Sequence, residues 1–239
     1  MDTVQSDLRV NRLLALLDDD DLHALATRME PVELGLREDQ YQEQGPMPHA
    51  WFPTGAVLSV LGAATAASTD IEVATIGKEG VLGVPLLLGA ELSPGRVFCQ
   101  VTGSAWRMTA GDFRACAASM PAFNRVLHRY AHALMVQISQ GTACNRAHAV
   151  EQRCARWLLQ THDRATGDEF DLTQEFLAQM LGERRATVNQ VAGSLQQRGL
   201  IRYSRGRIQV VDRDGLEQAS CRCYGFVRAE YARMLAPPA

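Results

Sequence analysis

Apolar positions change their spacing twice along the 239-residue chain. From Asn11 to Met29, Leu13, Leu16, Leu17, Leu22 and Leu25 recur at helical steps, with the acidic run Asp18 to Asp21 as a break or a helix start. From Pro31 the pattern alternates, and turn residues punctuate it: Gly45-Pro46, Pro53-Thr54-Gly55, Gly62, Gly77 to Gly80, Gly89, Pro94-Gly95, Gly103 and Gly111. Short runs such as Ala56 to Leu61 and Ile71 to Ile76 lie between them, which predicts an antiparallel sandwich or barrel. At Gly111-Asp112 the helical period returns. Phe123, Leu127, Tyr130, Leu134 and Ile138 then mark one long helix between about 121 and 148. Such a helix spans some 40 Å at about 1.5 Å per residue, more than a small domain needs. It either joins domains or pairs with a copy of itself; merely covering the sheet is the plainer alternative.

A second amphipathic helix is predicted from Val150 to His162, with Val150, Cys154, Trp157, Leu158 and Thr161 on one side. Beyond the turn Thr166-Gly167-Asp168, Thr173 is placed to cap a helix from Gln174 to Leu181. Gly182 ends it with a positive φ. Another helix runs from Arg184 or Arg185 to Gln197 and stops at Gly199. Ala178, Gly182, Val188 and Val191 are spaced for two helices crossing steeply, a helix-turn-helix. With Val188, Val191 and Leu195 turned inward, Arg185, Ala186, Asn189 and Gln190 face out. Arg, Asn and Gln suit bidentate reading of guanine and adenine edges, and alanine can touch a thymine methyl. Two alternating strands around Ser204-Arg205-Gly206 form a wing that brings arginines to phosphates.

Charge sharpens this division. Through Cys144 there are 10 basic and 16 acidic residues; from Asn145 onward there are 14 and 11. Gly182 to Arg207 alone holds six arginines and one acid. Two domains with different partners are expected. Met1 to Asp21 has no basic start followed by an apolar core, and the uncharged stretch Gln44 to Thr69 is broken by prolines and glycines. The expectation is therefore a cytoplasmic protein without a membrane segment. The six cysteines contain no C-x-x-C pair and are expected to be free thiols. Catalytic motifs, metal-ligand spacings and phosphate-binding loops are not found, so no enzyme is expected.

Leu172-Thr173-Gln174-Glu175-Phe176-Leu177-Ala178-Gln179-Met180-Leu181-Gly182-Glu183-Arg184-Arg185-Ala186-Thr187-Val188 closely resembles the helix-turn-helix of the Crp–Fnr transcription regulators, and the resemblance extends over nearly the whole chain. It implies an α+β fold in three parts: an antiparallel β-roll sensor like a cyclic-nucleotide-binding domain over 11–120, a dimerisation helix over 121–148, and a winged helix-turn-helix over 149–220. It implies a homodimer through Leu127, Tyr130, Leu134 and Ile138, bound to an inverted repeat in double-stranded DNA and in contact with RNA polymerase. Thr173, Arg184, Arg185, Ala186, Thr187, Asn189, Gln190, Arg205 and Arg207 are the expected DNA-facing residues. Where members tend to carry Arg, Glu and Arg, this chain has Arg185, Ala186 and Gln190, so the family's usual operator does not carry over. The competing class is a β-roll module that acts through protein contacts, with the helix-turn-helix used only for packing.

The family's cyclic-nucleotide cassette corresponds here to Gly83, Val84, Arg96, Val97 and Phe98, the candidate effector pocket. Gly83 and Arg96 are kept, but Val84 replaces the ribose-binding Glu and Phe98 replaces an Ala. Each buried polar group left unpaired costs roughly 1–3 kcal/mol, which argues against ordinary cyclic-AMP binding. An iron–sulfur cluster would need cysteines near the N-terminus, and the first is Cys99. A haem ligand would have to come from His49, His128 or His132, and lone histidines more often pack or face solvent. Cys221 and Cys223 form either a thiol switch or, more commonly, two buried cysteines in a tail helix. No cofactor or metal is assigned, and the effector is unknown.

Overall fold

A computed structural model describes residues 3–62 and 71–237. The segment 63–69 of the uncharged stretch lies outside the described residues. Helix α1 (Thr3–Leu8) and a 3-10 turn at Leu14–Leu16 precede α2 (Asp19–Ala26). The acidic run is a helix start: the Asp18 side chain caps α2 by accepting from the Asp21 backbone N–H at 2.8 Å, and three aspartates fill the first turn.

Strands β1 (Met29–Leu34), β2 (Asp39–Tyr41), β3 (His49–Pro53), β4 (Val57–Gly62), β5 (Ile71–Ile76), β6 (Val97–Val101) and β7 (Gly103–Thr109) make two antiparallel sheets, ordered β1-β7-β3 and β2-β6-β4-β5. The short helix α3 (Val84–Leu87) lies between β5 and β6. Alternation divides β6 between two cores. Val97 and Cys99 point into the roll, whereas Phe98 joins the core of the C-terminal part.

After α4 (Ala110–Ser119), α5 (Pro121–Ala147) is a single helix of 27 residues. Its apolar stripe does not wait for a second chain. Phe123, Leu127, Tyr130 and Leu134 belong to the core of their own β-roll, with Ile138 packed against it. Tyr130 lies so closely on Gly80 that a Cβ there would collide with its ring. The expectation that Leu127, Tyr130, Leu134 and Ile138 form a dimer interface is thus corrected. The stripe covers the roll, because amphipathic spacing records only that one face is buried, not against what.

Helix α6 (Val150–His162), β8 (Glu169–Asp171), α7 (Gln174–Leu181), α8 (Arg185–Gln197), β9 (Ile201–Ser204), β10 (Arg207–Val210) and α9 (Arg213–Ala219) follow. The last three strands form a sheet ordered β8-β10-β9. Helix α10 (Cys223–Met234) then returns to pack along α5. The parts are joined by specific contacts. Arg164, beyond α6, pairs with Glu79 at 2.8 Å, both nearly sealed from solvent, and reaches Gln137 of α5 at 3.1 Å. Tyr231 of α10 donates to the same Gln137 oxygen at 3.0 Å. Phe98 meets Phe176 of α7 edge-on at 5.7 Å, and Gln100 donates to Thr161 at 3.0 Å. Among the described residues no helix is long and apolar enough to cross a membrane.

Candidate nucleic-acid interface

Thr173 caps α7 by accepting from the Phe176 N–H at 3.1 Å. Gly182 ends the helix at φ +63°, a conformation that glycine adopts without a Cβ clash. Helix α8 crosses α7 with Val188, Ala192 and Leu195 buried. Val191 is half-buried and packs against the same core as expected, with Ala192 buried beside it. That packing leaves Arg185, Ala186, Asn189 and Gln190 exposed on one face, with Arg184 exposed before them and Thr187 half-buried beside them.

The wing is a two-residue hairpin in which Ser204 pairs with Arg207 across Arg205 and Gly206. Both central residues have positive φ, +50° and +79°, as a primed hairpin turn requires. Arg205, Arg184 and Arg185 have no carboxylate partner among the described residues. Arg207 differs: it is exposed but held by Asp171 at 3.1 Å and Glu169 at 3.3 Å. The guanidiniums of Arg184 and Arg205 therefore accompany the row of base-reading side-chain types that Arg185 begins, an arrangement suited to phosphates around a groove.

The candidate effector pocket is not assembled. Gly83 is packed against Ala50 and Phe113, and Val84 and Val97 are buried in the roll's own core. Arg96 pairs with Asp39 at 2.7 Å and lies over the Phe98 ring. Phe98 itself is spent on the contact with α7. Among the histidines weighed for haem, His132 pairs with Glu230 at 2.8 Å, His128 bonds the Asn124 carbonyl at 2.9 Å, and His49 meets Trp51 edge-on.

All six cysteines are free and buried. Spacing along the chain concealed one grouping: Cys144, His148, Cys221 and Cys223 converge where α5 ends and α10 begins. The pair at i and i+4, Cys144 and His148, was the available signal, but only the fold brings it to Cys221 and Cys223.

A two-sheet β-roll, a long helix and a winged helix-turn-helix follow one another as in solved regulators of the Crp/Fnr type, and this chain shares their fold. Residues 152–219 match the Crp-like helix-turn-helix domain family. FixK2 from Bradyrhizobium japonicum is 14% identical with a TM-score of 0.67, over 81% of this chain and 98% of that one. A regulator assigned to the Crp/Fnr family from Eubacterium rectale is 13% identical with a TM-score of 0.67, over 88% and 98%. The c-di-GMP responsive global regulator CLP from Xanthomonas campestris is 11% identical with a TM-score of 0.63, over 81% and 99%. Compared by sequence with curated proteins, the chain has no match.

Proposed function

We propose that the protein is a homodimeric, sequence-specific DNA-binding regulator of transcription, in which 11–120 senses, 121–148 pairs the subunits and 149–220 reads an inverted repeat. The observation that carries this reading is the exposed face of α8, where Arg185, Ala186, Asn189 and Gln190 stand beside Arg184 and Arg205, and none of the three arginines has a carboxylate partner among the described residues. A helix turned outward in this way fits the major groove, while the Arg205 tip reaches the backbone. Two such heads on a two-fold axis would take half-sites about one helical turn apart.

The β-roll acts as a sensor that does not use cyclic AMP in the family's usual manner. This is supported by Arg96 being occupied by Asp39 and by the apolar, buried Val84 and Val97. Contact with RNA polymerase belongs to the same proposal. Selection of bound sequences from a random pool, followed by gel shifts at two salt concentrations, tests the reading. An inverted repeat should emerge, with affinity falling steeply as salt rises. Recovery of no preferred sequence and no salt-dependent binding would favour a module acting through protein contacts.

A further inference from the structure

We infer that Cys144, His148, Cys221 and Cys223 bind one thiophilic divalent ion, zinc, which ties the end of the long helix to the C-terminal helix. Their four donor atoms all lie within 4.8 Å of one another. The Cys144 and Cys221 sulfurs are 3.4 Å apart, and the Cys223 sulfur is 3.5 Å from Nδ1 of His148. A tetrahedral ion with bonds of about 2.3 Å to sulfur and about 2.0 Å to nitrogen separates its ligands by roughly 3.5–3.8 Å. Two of the six donor pairs already stand close to that separation, and no pair exceeds it by more than about 1 Å, so small side-chain shifts close the four around a single ion. A multi-iron cluster holds its cysteines farther apart, and three sulfurs with one imidazole are a zinc donor set.

Local structure explains the convergence. Cys144 and His148 are one helical turn apart at the end of α5, where the His148 N–H donates to the Cys144 carbonyl at 3.1 Å. Cys221 and Cys223 flank Arg222 at the start of α10, and all three sulfurs are buried. The surroundings independently suit a negative centre. Three thiolates, a neutral imidazole and a divalent ion carry a net charge of about −1. Arg156 of α6 is 9% exposed, has no carboxylate partner among the described residues, and leaves its Nε without a hydrogen bond. Its charge acts on the Cys144 and Cys221 sulfurs. The Gln140 amide also donates to the Cys223 sulfur at 3.1 Å, the kind of outer contact that orients a ligand. Binding releases the thiol protons and leaves oxidation states unchanged.

Elemental analysis of the full chain, purified under reductant, is expected to find about one zinc per subunit. Replacing zinc by Co2+ should give the strong visible bands of a tetrahedral thiolate site. Cys223→Ser should weaken uptake by at least about tenfold, whereas Cys116→Ser, a buried cysteine outside the group, should not. His148→Cys should retain cobalt and shift its spectrum, a change that loss of packing alone does not produce. A folded, reduced wild-type chain that yields no tetrahedral cobalt spectrum overturns the inference. So does a Cys144–Cys221 disulfide that persists in the native protein with zinc present. Neither readout depends on DNA, so this inference and the proposed DNA reading fail separately.

Discussion

Arg185 and Arg207 look alike in sequence but differ in their surroundings. Arg185 is exposed on α8 with no carboxylate partner among the described residues, free to meet a guanine edge. Arg207 is already neutralised by Asp171 and Glu169. Arg185→Ala should cost roughly 1–3 kcal/mol of specific binding and relax preference at one symmetric base pair. Arg207→Ala should weaken all sequences alike, because it leaves two carboxylates unscreened beside the DNA. A library of sites read with both variants distinguishes these effects. The same uniform loss from each would remove α8 as the base reader.

At the scale of elements, the junction between β5 and α6 depends on one carboxylate. Glu72 accepts from Trp157 Nε1 at 2.6 Å and from the Ser59 hydroxyl. Burial raises its carboxyl to about 7, against the opposing pull of those hydrogen bonds and of the Arg156 and Arg164 charges. A carboxyl raised in this way favours the fold while neutral. That contribution is fully present below the unfolded value near 4.5 and is lost as pH rises through about 7. Glu72→Gln keeps an acceptor for Trp157 and cannot ionise. The variant should match the wild type near pH 4 and exceed it near pH 8. Glu72 is half-buried, so solvent screening holds the gain to about 1–2 kcal/mol. Thermal melts across that range test this, and a gain that shrinks toward high pH contradicts it.

At the scale of the whole molecule, one face of α5 is buried on its own β-roll, so the proposed pairing of subunits along α5 would use the opposite side of the helix. Arg125, His128, Met135, Ser139, Thr142 and Arg146 are exposed there, and Met135 is 61% exposed. The steps between them suit a pair of long helices. Met135→Glu should convert dimers to monomers with melting nearly unchanged. Leu134→Glu, by contrast, should unfold the β-roll, since Leu134 is 8% exposed in its core. Sedimentation with parallel melts separates the two. A Met135→Glu protein that remains dimeric places the interface elsewhere.

The elements of the C-terminal part were legible because their signals are local. The Thr173 cap, the positive φ of Gly182 and the Arg205-Gly206 turn each depend on a few adjacent residues; the first two bound α7 and the third joins β9 to β10. The outward face of α8 was also readable, since burying Val188 and Leu195 determines where Arg185 and Gln190 point. Partners across the fold were not. Helical spacing shows that Tyr130 and Leu134 are buried, but only the tertiary structure set them against the β-roll rather than a second chain. Phe98 entered the sequence reading as a cassette residue, and strand alternation turned it toward Phe176, 78 positions away. Cys144 and Cys221 are likewise 77 residues apart. Caps, turns and amphipathic faces are written in neighbouring residues, whereas long-range contacts depend on how whole elements pack, and that packing decided what each buried face and each cysteine met.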